Sequence, residues 1–275
     1  MTDRELELKS IRLRRKMLEV IFHAGAGHTG GGLSCLDILN VLYNRVLRVS
    51  PENFSDPNRD RYVQSKGHSV EALYVVLADR GFFPESELNT LGRYRSHFVG
   101  HPTRHVPGIE MNTGALGHGL SISVGMALAG KMDAAPYRVF TLLGDGELAE
   151  GSNWEALLAG AHYQLDRLVA ILDHNTLQIT GHTRDVMSSE PIEDKLHAFG
   201  WTVRGVDGHD YSQLTKALTD PPAAGKPTFI IANTVKGKGV SFMENVARWH
   251  HGVPNEPELK QALDELDRAE ARRMA

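Results

Sequence analysis

Cysteine is almost missing from this chain: Cys35 is the only one in 275 residues. A single thiol excludes an intrachain disulfide and a cysteine-based zinc centre. Cys35 lies in the apolar stretch 33–39, where a buried, inert thiol is expected. Long apolar runs are missing too, since no segment approaches the roughly 18 apolar residues of a membrane span. The N-terminus, Met1-Thr2-Asp3-Arg4-Glu5, has no apolar signal core. Neither charge is in large excess: 30 Lys+Arg face 34 Asp+Glu, a formal net charge of −4. That balance argues against the basic field of a nucleic-acid scaffold. The one basic cluster, Arg12-Arg14-Arg15-Lys16, is interleaved with Leu13, Met17 and Leu18 and reads as a solvated helix face. The expectation is a soluble cytoplasmic protein with neither a nucleic-acid nor a membrane partner.

What is present is an ordinary globular composition, 41% apolar and 23% charged, with 14 histidines. Residues 1–275 carry no repeat, low-complexity tract or linker and are expected to form one domain. Apolar spacings of three and four predict helices over 3–22, 35–47 (with Ser34 as its cap) and 70–79. Gly25 and Gly27 fit the first helix stop. Arg61-Tyr62-Val63-Gln64 is a short strand candidate. Residues 82–115 read as a long irregular segment, and loops of that length in compact domains are usually functional. After Leu116 strands and helices alternate. The runs Val139-Phe140-Thr141-Leu142-Leu143, Leu168-Val169-Ala170-Ile171-Leu172, 201–206 and 227–232 are separated by helices over 154–163, 192–199 and 211–218, with a last helix over 256–273. Apolar strands separated by helices predict an α/β fold, a parallel sheet flanked by helices on both faces. Ligands on such sheets bind beyond the carboxyl ends of the strands.

Those ends are polar. Gly144-Asp145-Gly146 closes one run and Asp173-His174-Asn175 closes the next, which sets Asp145 and Asn175 30 residues apart. On adjacent parallel strands the two side chains share one edge. A carboxylate and an amide oxygen, joined by backbone carbonyls, form a hard oxygen shell suited to Mg2+ (or Ca2+) and a phosphate. Gly144 and Gly146 let backbone amides approach such an anion. Taken alone, Gly-Asp-Gly fits a tight turn equally well.

This pattern resembles the thiamine-diphosphate signature. The longer stretch 144–156, Gly-Asp-Gly-Glu-Leu-Ala-Glu-Gly-Ser-Asn-Trp-Glu-Ala, is similar to the transketolase form. So are Gly27-His28, Ser65-Lys66-Gly67-His68, Gly100-His101-Pro102, Thr113-Gly114-Ala115-Leu116-Gly117-His118-Gly119 and His250-His251-Gly252, in order over about 10–255. The resemblance implies the thiamine-diphosphate-binding fold and a set of roles. Asp145, Asn175 and the Leu177 carbonyl would ligate the metal. Gly144, Gly146 and His68 would meet the diphosphate, and Gly114 and Leu116 the cofactor rings. Lys236 matches a cofactor-side lysine of part of the family. His28, His101 and His251 would face the sugar, His251 also touching the cofactor. Glu150 and Glu155 match catalytic-relay acids at the family's subunit interface. Each of these histidines adjoins glycine or proline in a loop. His97, His105, His162, His182, His197 and His209 are read as structural or surface residues. Thr29, Ala115, His118 and His174 depart from the family pattern without removing a cofactor group.

Family members usually carry a second domain that binds the aminopyrimidine and supplies the activating glutamate. The chain has only one helix after residue 255. The expectation is therefore the N-terminal, diphosphate-binding subunit of a split transketolase. It would move a glycolaldehyde unit from a ketose to an aldose, phosphorylated or not, in a complex holding two copies of this chain and two of a C-terminal partner. The pathway, pentose phosphate or a dedicated catabolic route, stays open. Two alternatives also stay open. One is another thiamine-diphosphate component, of deoxyxylulose-phosphate synthase or 2-oxoacid dehydrogenase type; the other is a non-catalytic regulatory subunit. His68, His101 and His251 favour ketose handling.

Overall fold

The computed structural model describes residues 1–275. Five parallel strands form one sheet in the order β1-β2-β3-β5-β4. They are β1 (Arg61–Gln64), β2 (Val139–Gly144), β3 (Leu168–His174), β4 (Thr202–Asp207) and β5 (Thr228–Asn233). The α/β expectation holds, and the long apolar runs have a simple cause. Phe140, Leu142, Val169, Ile171 and Ile230 feed one apolar layer, while Val139, Leu143, Leu168, Ala170 and Phe229 feed the other. A strand covered on both faces needs apolar residues at every position.

Helices α1 (Asp3–Ala24), α2 (Thr29–Val41) and α3 (Val70–Asp79) cover the first face, together with α8 (Tyr211–Thr219) and α9 (Glu256–Met274). Helices α4 (His118–Met132), α5 (Gly151–His162) and α7 (Ile192–Ala198) cover the second, and α6 (Thr183–Val186) is a single turn. Thr2 caps α1 in a capping box with Glu5, and Gly25 ends it at φ +67°, where glycine carries no Cβ penalty. Segment 82–115 is irregular apart from a 3-10 stretch at Glu85–Thr90. Cys35 is fully buried, which pushes its thiol up to about 12, as expected of an inert group.

One expectation about helices fails, and one helix has no counterpart in the sequence reading. Ser34 is not a cap: α2 begins at Thr29, five residues earlier, and the Ser34 hydroxyl lies inside the fold, donating to Asp173 Oδ2 at 2.5 Å. Gly30-Gly31-Gly32 form the first turn despite poor helix propensity, because tertiary packing overrides it. A Cβ on Gly31 would stand 2.9 Å from Ser69 Oγ. Helix α4 was not expected at all. Its sequence, rich in glycine and serine, hides the period, but Gly119 lets it lie directly on Ser65 at the end of β1.

Candidate functional site

β2 and β3 pair in parallel, with Gly144 opposite Asp173. Asp145 and Asn175 therefore leave the sheet side by side. A cavity of about 430 Å³ opens at this carboxyl edge. Asp145, Asn175, Leu177, Gly144 and Gly146 line its sheet side, and His68 and Lys66 arrive from the segment after β1. His28 comes from the start of α2, His101, Gly114 and Leu116 from the long irregular segment and the loop before α4, and Lys236 from the strap after β5.

The three residues expected to offer oxygens, Asp145, Asn175 and Leu177, all line the cavity. Asp145 Oδ1 accepts from the Gly146 amide at 2.7 Å, and its Oδ2 accepts from the Thr176 amide. Asn175 turns its Nδ2 inward, to Ser34 Oγ at 3.3 Å and Asp173 Oδ2 at 3.1 Å. Its Oδ1 accepts only the Leu177 amide, at 3.2 Å. The Leu177 carbonyl accepts from Lys236 Nζ at 2.8 Å, so a cation already rests on one proposed ligand. Burial and the neighbouring Asp173 charge push the Asp145 carboxyl up. That is the sign of a carboxylate short of positive charge. No three His, Cys, Asp or Glu side chains gather as a metal group. One carboxylate, one amide and one carbonyl are a hard set of the kind that holds Mg2+ beside a phosphate. Gln178 Nε2, against Gly146 in the same cavity, is buried without an acceptor, which suits an anion there.

Behind this edge sits a charge pair. Lys66 and Asp173 form an ion pair with side chains 2% and 0% exposed. Burial alone would lower the Lys66 ammonium, but Asp173 and other neighbouring groups outweigh it and the net shift is upward. Burial would likewise raise Asp173, but Lys66 and the hydroxyls of Ser34 and Thr234 hold it below the usual carboxylate range. Glu147 is a second buried anchor. It accepts from Ser65 Oγ at 2.5 Å, the Gly117 amide at 2.9 Å and the Gly144 amide at 3.0 Å. One carboxylate thus fixes the ends of β1 and β2 and the Gly114–Leu116 loop relative to each other.

The histidines gather on the open side. The His28 ring is 5.2 Å from His68, 6.4 Å from His101 and 4.5 Å from His251, centre to centre. Burial, reinforced by His251 and His101, pushes His28 down to about 4. Burial, with Lys66 and His28 nearby, holds His68 well below the ordinary value. At neutral pH these rings are uncharged, each with one donor and one acceptor nitrogen. Burial and the Lys66 charge bring Lys236 down to about 8. Gly114 sits at φ +134°, and a Cβ there would fall 2.5 Å from His101 Cδ2. The long segment thus needs glycine to bring His101 in.

Eleven predicted residues line the cavity: His28, His68, His101, Gly114, Leu116, Gly144, Asp145, Gly146, Asn175, Leu177 and Lys236. His251 is exposed at the mouth, against His28. Glu150 and Glu155 are not brought into the cavity; both are exposed at the start of α5, with Glu150 packed beside Gly117. Several residues escaped the sequence reading. His250, the neighbour of His251, lines the cavity, stacks on His68 at 5.4 Å and meets Lys236 Nζ at 2.8 Å. Burial and Lys236 push it down to about 3. Asp173, Ser34, Glu147 and Gln178 were missed as well. Asp173 had a signal: it precedes Asn175 by two residues, hence on the same face of the strand end.

A parallel sheet whose carboxyl edge offers hard oxygens, an unpartnered Gln178 amide and neutral imidazoles defines an α/β domain that holds a phosphorylated cofactor. The profile of the family described as "Transketolase, thiamine diphosphate binding domain" matches residues 6–269. The chain belongs to the transketolase family, of which it is the thiamine-diphosphate-binding domain. It is 50% identical to one subunit of the apulose-4-phosphate transketolase of Phocaeicola vulgatus, over 95% of this chain and 93% of that protein. It is 42% identical to the 6-deoxy-6-sulfo-D-fructose transketolase subunit SqwG of a Clostridium species, over 98% and 99%. Transketolase from Campylobacter jejuni superposes with a TM-score of 0.86 at 28% identity, over 100% of this chain and 48% of that one. The chain thus spans about half the length of the solved transketolases it matches.

Proposed function

We propose that this chain is the diphosphate-binding subunit of a two-subunit transketolase that moves a two-carbon glycolaldehyde unit from a ketose to an aldose, with sugar phosphates as the substrate class. The observation that carries this reading is the meeting of Asp145, Asn175 and the Leu177 carbonyl with His28, His68, His101 and His250 in one cavity. End-to-end similarity to proteins that are themselves named as transketolase subunits supports the two-subunit form. No helix is long and apolar enough to cross a membrane. The single buried thiol suits the reducing cytoplasm.

Asp145, Asn175 and the Leu177 carbonyl would hold Mg2+ (or Ca2+). The Gly144–Gly146 turn, with His68, would meet the diphosphate, and Gly114 and Leu116 would pack on the rings. Thiamine diphosphate, when bound, supplies the nucleophile that takes up the two-carbon unit. Neutral His28 and His250, with His101 beside them and His251 at the mouth, can donate to a ketose hydroxyl and accept from its neighbour, and so pass a proton at the sugar. Lys236 holds Leu177 and His250 in place. Glu150 and Glu155, exposed here, would meet a neighbouring subunit, sharing protons with its carboxylates. The partner would supply the pyrimidine side, in a complex with two copies of each polypeptide.

The test is reconstitution with a subunit carrying the pyrimidine domain, assayed with ketose phosphates as donors and aldose phosphates as acceptors. Transfer should require both polypeptides, thiamine diphosphate and a divalent cation. Turnover by this chain alone, or turnover of pyruvate in place of ketoses, would refute the proposal.

A further inference from the structure

We infer that His209 is a positioning residue for the cofactor site: its ring clamps the strap that carries Lys236, with Asp37 as anchor. His209 lies in the turn between β4 and α8, behind the cavity and outside its lining. Its Nδ1 meets Asp37 Oδ2 at 2.7 Å, and the Val235 amide donates to its Nε2 at 2.9 Å. Only one form of the ring satisfies both bonds: a neutral imidazole with the proton on Nδ1. The other tautomer, or the imidazolium, would set an N–H against the Val235 N–H.

The anchor is rigid. Asp37 is 2% exposed, and it also accepts from Arg14 Nη2 at 2.6 Å and the Tyr211 hydroxyl at 2.8 Å. Burial disfavours its charge, but Arg14 and His209 outweigh that and keep it ionised. A carboxylate that fixes the tautomer and direction of an imidazole is the arrangement that orients ligands from behind in metal sites. Here the oriented group is a backbone amide.

Val235 is where that grip counts. On one side of it Thr234 donates to Asp173 Oδ1 at 2.5 Å, and its amide donates to the His174 carbonyl at 3.1 Å. On the other, Lys236 reaches the Leu177 carbonyl and His250, and the Gly237 amide donates to the Gly30 carbonyl at 3.0 Å. The strap therefore touches the proposed metal ligand, the buried Lys66–Asp173 pair and the glycine turn of α2 within four residues. His209 holds it at Val235, between these contacts. The inference rests on the functional reading above only for what Lys236 does at the cofactor.

Two conservative replacements separate the bonds. In His209→Gln the amide oxygen takes the place of Nε2 and keeps an acceptor for Val235. In His209→Asn the amide nitrogen takes the place of Nδ1, keeps the donor to Asp37 and abandons the strap. In the assembled complex at saturating Mg2+, His209→Asn should weaken thiamine-diphosphate binding by about tenfold or more. His209→Gln should stay within about threefold of wild type, and both variants should melt within a few degrees of it. His209→Asn/Lys236→Ala should bind no more weakly than Lys236→Ala alone. Unchanged affinity in His209→Asn would overturn the clamp. So would losses in His209→Gln that match His209→Asn and track a lowered Tm. Independently of any variant's affinity, nitrogen-15 NMR of histidine-labelled full chain, with His209 assigned by its loss in His209→Gln, should show the Nδ1–H tautomer. An Nε2–H tautomer overturns the inference. A wild-type complex that binds no thiamine diphosphate would refute the functional proposal, while the tautomer would still decide the clamp.

Discussion

Lys66→Met tests whether the buried pair beneath the cavity holds the strand ends together. Methionine keeps most of the lysine's length and apolar stem but removes the ammonium, leaving Asp173 ionised at zero exposure. Removing one partner of a buried ion pair costs about 3–5 kcal/mol. Asp173 keeps the Ser34 and Thr234 hydroxyls at 2.5 Å each and the Asn175 amide at 3.1 Å, so the lower end, about 3 kcal/mol, is expected. At about 2–4 °C per kcal/mol for a large domain, Tm should fall by about 6–12 °C. The pH dependence has a definite sign. Asp173 is held below its ordinary value, so its contribution is present above the unfolded carboxylate range and is lost as pH falls through the folded value. Lys66 is held above its ordinary value, so its contribution is lost as pH rises through the folded value in strong alkali. The penalty of Lys66→Met should therefore be flat near neutrality and shrink in acid, where the orphaned carboxyl takes up a proton. Denaturant unfolding at several pH values, with Asp173→Asn and the double variant, closes the cycle. The double variant should cost clearly less than the two single changes together. Full additivity, or a Tm loss under about 2 °C for Lys66→Met, would refute the pairing argument.

Gly114→Ala should displace His101, because the new Cβ would fall 2.5 Å from its ring in a backbone conformation that alanine resists. Transfer by the complex should drop by about tenfold or more. His101→Ala, which leaves Gly114 untouched, should lose transfer with thiamine-diphosphate affinity less affected; equal losses in both for His101→Ala would place His101 on the cofactor instead. His28 and His250 are held down to about 4 and about 3, so the unfolded chain gains protons below about pH 6.5 that the folded chain refuses. Stability should be fully present above that pH and fall between about pH 6.5 and 3, and His28→Asn/His250→Asn should flatten this fall in urea unfolding monitored against pH.

The sheet was legible because its central strands are buried on both faces, which forces unbroken runs such as Val139–Leu143 bounded by polar turns. Asp145 and Asn175 were legible for a related reason. Parallel pairing with a fixed repeat carries consecutive strand ends to one edge, so sequence spacing translates into proximity. Lys66 and Ser34 were not, because each meets Asp173 from 107 and 139 residues away along the chain and only the closed sheet brings them together. A serine before an apolar run looks like a cap, and nothing local shows that its hydroxyl is needed elsewhere. His250 and His251 illustrate the limit of a loop motif. Two adjacent histidines share every sequence property, and the 3-10 turn at Ala247–His250 decides that the first lines the cavity while the second stays at its mouth. Glu150 and Glu155 are exposed in this chain, and the role proposed for them needs a neighbouring subunit that a single sequence does not contain.

Asp145 follows the last residue of β2 and Asp173 lies near the end of β3, at the same edge, yet their carboxyls move in opposite directions. Asp173 has Lys66 and is held down, whereas Asp145 has two backbone amides, no side-chain cation bonded to it, and is pushed up by burial and by Asp173 itself. The edge therefore holds one carboxylate paired with a side-chain cation and one that is not. A ligand at a hundred times its Kd stabilises a protein by about 2.7 kcal/mol, which in a domain of this size is a Tm rise of about 5–10 °C. Mg2+ with thiamine diphosphate should give the assembled wild-type complex a rise of that order. Asp145→Ala should abolish it, although Asn175, Leu177 and the amide of Gly146 remain. Asp173→Asn should lower the starting Tm yet keep most of the rise, because Asp173 faces Lys66 and not the open cavity. If Asp145→Ala kept the full rise, the cation would have to be held elsewhere, and the division of labour between the two aspartates would be wrong.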